Sequence, residues 1–149
     1  MPYFAAVFAR TEQGWLGTET ELAEAEGIDD VADVMREVAM ETTGDPVLLL
    51  LEEDDQWFAV IRMDDQDEPR VFVSDSAAGL TSDLAGLLSQ SVGETPLDGD
   101  ASGDADLLDD LGVDAKRLLE LSERALPGDA LLTVAEQTGF AEEFDRLRD

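Results

Sequence analysis

Carboxylates are the reactive groups this chain has in quantity, so a site would show first in their spacing. The most specific pattern is DGDASGDADLLD at 98–109. It sets Asp98, Asp100, Ser102, Gly103, Asp106 and Asp109 at positions 1, 3, 5, 6, 9 and 12 of a calcium loop. There the oxygens wrap a hard cation and the glycine makes the sharp turn. Three departures weaken the match: Ala105 fills position 8, where an apolar strand residue belongs; Asp109 is shorter than the usual bidentate Glu; and Pro96 interrupts an entering helix. With 37 Asp+Glu in 149 residues, chance matches are common, and a solvated acidic linker is the preferred reading. Asp98, Asp100, Asp106 and Asp109 stay as the metal candidates.

A second acidic constellation, Asp64, Asp65, Asp67 and Glu68, lies in a turn between two apolar runs. It is expected to be a solvated hairpin turn, and it is the candidate contact surface for a basic partner. Arg62 and Arg70 fall on consecutive strands in a chain with few bases. They could grip an anion, but salt bridges to neighbouring carboxylates are the commoner outcome. Trp15 and Trp57 flank turns; either could anchor a partner, although packing in or against the core is more usual for Trp beside a strand. A carboxylate pair could do glycosidase-type acid–base work, yet nothing distinguishes one pair among 37 acids.

Cys and His are both absent. That excludes disulfides, thiolate chemistry, Ser-His and Cys-His catalysis and the usual zinc sites. No catalytic residue and no cofactor is expected, and the chain is read as a non-enzyme. The formal net charge of −28 is spread along the sequence, with −17 in residues 1–90 and −11 in 91–149. Such a surface repels phosphate backbones and anionic membranes, so neither direct nucleic-acid binding nor a membrane role is expected. Hydrophobic residues are 44% of the chain, enough for a core. No run approaches the ~20 apolar residues of a membrane span, and MPYFAAVFAR lacks the basic start of a signal peptide. A soluble cytoplasmic protein is expected. The bases are eight Arg and one Lys, and Asn is absent, which fits a GC-rich genome; halophily is a rival explanation of the acidity.

The elements that must position these groups centre on 47–75, VLLLLEEDDQWFAVIRMDDQDEPRVFVSD. Three apolar runs separated by acidic turns predict an antiparallel meander. Residues 3–9, apolar on both faces, predict a central strand, joined to a weaker strand at 15–20 by a hairpin with Gly14 at its turn. Val31, Val34, Met35 and Val38 recur at helical spacing after an N-cap at Asp29 or Asp30, and Gly44 and Pro46 end that helix. A further helix is expected to carry Leu84, Leu87 and Leu88. After the Gly-, Ser- and Asp-rich stretch 91–106, the pattern is helical. It runs through DLLDDL to Gly112, then a helix capped by Asp114, another from Pro127 to Gly139, and a last one at 140–148. Leu118, Leu119, Leu121 and Leu126, then Leu131, Leu132, Val134, Phe140, Phe144 and Leu147, supply the apolar stripes. The fold class is therefore α+β: a mostly antiparallel sheet of about five strands with one or two helices packed on it, followed by a small all-helical C-terminal bundle. The expected organisation is a sheet domain at 1–90, an acidic linker at 91–106 and a helical subdomain at 107–149.

Three stretches carry a resemblance: PYFAAVFARTEQGW at the start, EDDQWFAVIRMDDQDEPRVFVSDSAA in the centre, and DLLDDLGVDAKRLLEL with LPGDALLTVAEQTGF in the tail. Together they resemble the actinobacterial family called tRNA adenosine deaminase-associated protein, least so around 91–106. The resemblance implies a chromosomal association with the enzyme that converts the wobble adenosine of tRNA to inosine. It implies no activity and no catalytic residues. The chain is not the deaminase itself, which uses His and Cys zinc ligands. Two readings follow: an acidic accessory or protein-interaction module for a basic partner such as the deaminase, or a metal- or small-ligand-binding regulatory domain. In the second, calcium or magnesium would raise the melting temperature.

Overall fold

The computed structural model describes residues 3–12, 14–20, 27–42, 47–53, 57–64, 70–74, 102–103, 105–124 and 126–148. Strands β1 (Tyr3–Thr11), β2 (Gly14–Glu19), β3 (Val47–Glu53), β4 (Trp57–Met63), β5 (Arg70–Val73) and the two-residue β6 (Ser102–Gly103) form one sheet in the order β2-β1-β3-β4-β5-β6. Every pairing is antiparallel. Helix α1 (Ile28–Thr42) connects the hairpin to the meander. A 3-10 turn (Ala105–Leu111) and helices α2 (Ala115–Arg124), α3 (Pro127–Thr138) and α4 (Ala141–Arg148) follow β6. The α+β class and the antiparallel sheet with a helical C-terminal region are those expected from the sequence. The expected helix at Leu84–Leu88 and most of the 91–106 linker lie outside the described residues.

The apolar runs are buried on both sides because the sheet lies between two helical layers. Alternate side chains of a strand point to opposite faces. On one face Val7, Leu49, Leu51, Ile61 and Val73 meet Val31, Ala32, Met35 and Val38 of α1. On the other, Phe8, Leu48, Leu50, Phe58, Val60 and Phe72 meet Leu107, Leu108, Leu118, Leu131, Val134, Phe140 and Phe144 of the tail. The tail helices share one core with the sheet, so the expected pair of layers, hairpin-plus-meander and α1, gains a third. Each fully buried Leu or Phe contributes about 2 kcal/mol, which makes the apolar face of β3 alone ample reason for the tail to dock. Phe8 stacks on Phe140 at 4.4 Å between ring centroids, and Phe4 meets Phe144 edge-on at 5.6 Å.

Two helix details differ from expectation. Helix α1 begins at Ile28, so Asp29 and Asp30 sit in its first turn, where carboxylates favour the positive end of the helix dipole, and not at its N-cap. Leu119 and Leu126 belong to no apolar stripe: Leu119 is 42% exposed because α2 turns Leu118 and Leu121 inward instead, and Leu126, 64% exposed, lies past the end of α2 at the N-cap of α3. Asp114 caps α2 as expected, its Oδ1 accepting from the Arg117 N–H at 2.8 Å.

Candidate functional site

Arg62 is the feature of the sheet with the most polar chemistry. It lies on the tail-facing side of β4, in register with Arg70 of β5. Its side chain is 7% exposed. Two guanidinium groups side by side on one face repel, and two carboxylates gather at Arg62. Asp64, just past the end of β4, accepts from Nε at 3.0 Å and sits 3.0 Å from Nη2. Asp110 of the 3-10 turn binds in fork geometry, accepting from Nη1 and, at 3.0 Å, from Nη2. The Leu107 carbonyl accepts the remaining Nη1 proton at 2.7 Å. Four of the five N–H groups of the guanidinium are thereby hydrogen-bonded, and the fifth, on Nη2, belongs to the ion pair with Asp64. The hydrogen bond from Arg62 holds the Asp110 carboxyl below its usual range, and the same bond raises the Arg62 pKa, so the pair is ionised at neutral pH. An external oxyanion would have to displace Asp110 to reach Arg62. The arrangement fastens the tail to the sheet; it does not activate a substrate.

The second polar feature lies at the far end of the same strands. Trp57 is 2% exposed, and its indole N–H donates to Glu53 Oε1 at 3.1 Å across the β3–β4 connection. Trp57 is thus a core residue. Trp15 is half-buried against Phe140, with ring centroids 4.9 Å apart. Neither is a free anchor for a partner.

The acidic constellations divide. Of the turn 64–68, Asp64 is committed to Arg62, and Asp65, Asp67 and Glu68 lie outside the described residues. Of the calcium-like loop, Asp98 and Asp100 lie outside them too. Ser102 and Gly103 form β6, paired with Val73 and Phe72, and Asp106 and Asp109 are exposed on the 3-10 turn. Among the described residues no group of three acids is placed to hold a metal ion. The acids that do share a surface are on α1. Asp29, Asp33, Glu37 and Glu41 follow one another at i,i+4 spacing, all exposed, with Asp30 beside them. Arg36, at 3.2 Å from Asp33, is the only base on that helix.

Sequence reasoning placed Arg62 and Asp64 but missed Asp110, which is 48 residues from Arg62. No local pattern could have paired them. It also missed Ser74, whose Oγ accepts from the Phe58 N–H at 2.9 Å while its own N–H donates to the Phe58 carbonyl at 2.9 Å, prolonging the β4–β5 ladder.

Comparison with known proteins supplies what the geometry does not. The family model described as Rv3753c-like tRNA adenosine deaminase-associated protein matches residues 3–141. The chain belongs to that family. The match runs from the first strand to the start of α4, so the deaminase-associated family is defined on the sheet and its helical tail together. No curated protein and no solved structure matches. The family is named for association with the deaminase and not as a deaminase, and a chain without His or Cys lacks the zinc ligands of that enzyme class. No described helix is long and apolar enough to cross a membrane.

Proposed function

We propose that this protein is a non-enzymatic accessory that binds a basic surface of a tRNA adenosine deaminase. Membership of the deaminase-associated family carries the reading. Charge supports it: a tRNA-binding enzyme needs Lys and Arg along the nucleic-acid path, and a chain of net charge −28 is steered to such a surface by complementary potential. The same charge keeps the accessory itself off tRNA. Because its partner works on tRNA, the protein acts in the cytoplasm. The turn Asp64, Asp65, Asp67 and Glu68 is the contact surface read from the sequence. Asp64 is occupied by Arg62, so the proposal rests on Asp65, Asp67 and Glu68.

Titration calorimetry of the protein with the deaminase tests this. Binding is expected at about 0.02 M salt and should weaken at least about tenfold by about 0.5 M, as screening shortens the reach of the charges. No binding at low salt overturns the accessory role. Binding indifferent to salt overturns its electrostatic basis. Replacing Asp65, Asp67 and Glu68 together by Lys should reduce affinity at low salt if that turn is in contact.

A further inference from the structure

Among the described residues the sheet has an unguarded edge. Among the described residues β2 is its outermost strand beside the β1 hairpin partner. The Thr20 N–H donates to the Ala5 carbonyl at 3.0 Å, which sets the phase of the ladder. Residues 16, 18 and 20 therefore turn their backbone groups toward β1, and Trp15, Gly17 and Glu19 turn theirs outward. Gly14, Leu16, Thr18 and Glu19 are exposed, with Leu16 at 50%. Natural edges are protected by Lys, Pro, a bulge or a covering element. GWLGTE has no Lys and no Pro, pairs with β1 in unbroken register, and has Glu19 as its sole charge.

The two faces beside this edge differ in chemistry. On one, Leu16 and Thr18 are exposed, and α1 packs chiefly over β1 and β3. On the other, α4 lies against β2, with Leu147 close to Gly17. Glu143 sits one turn before Leu147 on that flank, and Glu142 and Asp145 are exposed on the same helix, whose sequence also holds Arg146 and Arg148.

We propose that β2 receives an extended segment of a cationic protein as an added strand. Alternate residues of that segment would be apolar or β-branched, beside Leu16 and Thr18. The residues between them would be Lys or Arg, facing Glu19 and α4. Backbone bonds to Trp15, Gly17 and Glu19 provide the attachment, and the alternation provides the selectivity. A second copy of this chain fits less well: it would bring another net charge of −28 to the same edge. The inference names a docking mode for the basic partner of the accessory role and rests on that role only for the partner's identity.

Amide hydrogen exchange at residue resolution tests it, with two probes: the deaminase, and a peptide of about eight residues alternating Val and Lys. Both should slow exchange at Trp15, Gly17 and Glu19 at least about tenfold and leave the already bonded 16, 18 and 20 unchanged. A Val-Glu peptide should leave all six amides unchanged. Glu19→Pro, which removes an outward N–H, should abolish the protection, while Glu19→Gln, which removes only the charge, should keep it. If the deaminase binds without slowing these amides and the Val-Lys peptide leaves them fast, strand addition is wrong and the accessory role stands. If the peptide protects them but the deaminase does not bind, the accessory role fails and the edge serves another cationic protein. Protection that grows with protein concentration in the absence of either probe gives the edge to a second copy and overturns the proposal.

Discussion

At Arg62 a buried charge is tolerated because four oxygens were brought to it, one from its own strand end and three from the tail. The Asp110 side chain is 66% exposed, so solvent screens its half of the pair. Asp110→Asn is expected to cost about 1 kcal/mol in urea denaturation, the value of one partly screened charge-assisted bond. The sign of its pH dependence follows from the lowered Asp110 pKa. The contribution is whole above the unfolded carboxylate value of about 4 and is lost as pH falls through the lower folded value. The stability gap between wild type and Asp110→Asn should therefore be constant near neutrality and close in that acid window. Arg62, its pKa raised, stays charged throughout and adds no slope. Two glycines make a second residue-level test. Gly14 and Gly112 both have positive φ, at 118° and 109°. A Cβ on Gly14 would meet nothing, whereas one on Gly112 would lie 2.7 Å from the Gln137 carbonyl oxygen. Gly14→Ala should cost about 1 kcal/mol for backbone strain alone, and Gly112→Ala about 3 kcal/mol, because backbone must move as well.

Among the elements, α1 has the clearest conflict between stability and surface. Its row Asp29, Asp33, Glu37 and Glu41 places like charges one turn apart, an arrangement that destabilises a helix. Glu37→Lys would set a cation between Asp33 and Glu41. It is expected to stabilise the protein by about 0.5 kcal/mol at low salt, with the gain fading as salt rises, measured as the thermal midpoint at several ionic strengths. How far the elements were readable in the sequence follows from range. The meander was legible because its runs VLLLL, WFAVIRM and RVFV are uninterrupted and bounded by acids, and α1 because Val31, Met35 and Val38 keep a helical period. The placement of the tail was not legible. Strands apolar on both faces say that something covers the second face, but only the contacts of Phe8 with Phe140 and of Arg62 with Asp110 say that it is the last third of the chain. Leu119 and Leu126 misled for a related reason: a leucine counts toward a stripe in sequence whether the helix turns it outward, as at Leu119, or ends before it, as at Leu126.

For the molecule as a whole, a net charge of −28 on 149 residues is a standing repulsion that compact folding concentrates. The thermal midpoint is expected to rise by several degrees between about 0.02 and about 0.5 M salt, as the Debye length falls well below the size of the domain. Binding to a basic partner should move the opposite way over the same range. Fold and proposed function thus respond to one variable with opposite signs, which a paired salt series of melting and calorimetry reads directly. A midpoint that falls with salt would remove self-repulsion from the account.

Each side of the sheet also carries its own tryptophan, and the chain has two in all. Trp57 belongs to the α1 side, sealed and within hydrogen-bond reach of a carboxylate, while Trp15 is half-open beside Phe140 on the tail side. The protein is therefore supplied with a pair of optical reporters, one per layer. The tryptophan emission of a Trp15→Phe chain comes only from the interior of the first layer, and that of a Trp57→Phe chain only from the seam where β2 meets Phe140 of the tail. Fluorescence from the two, followed through one unfolding transition, distinguishes a molecule that melts as a single unit from one that sheds its tail first.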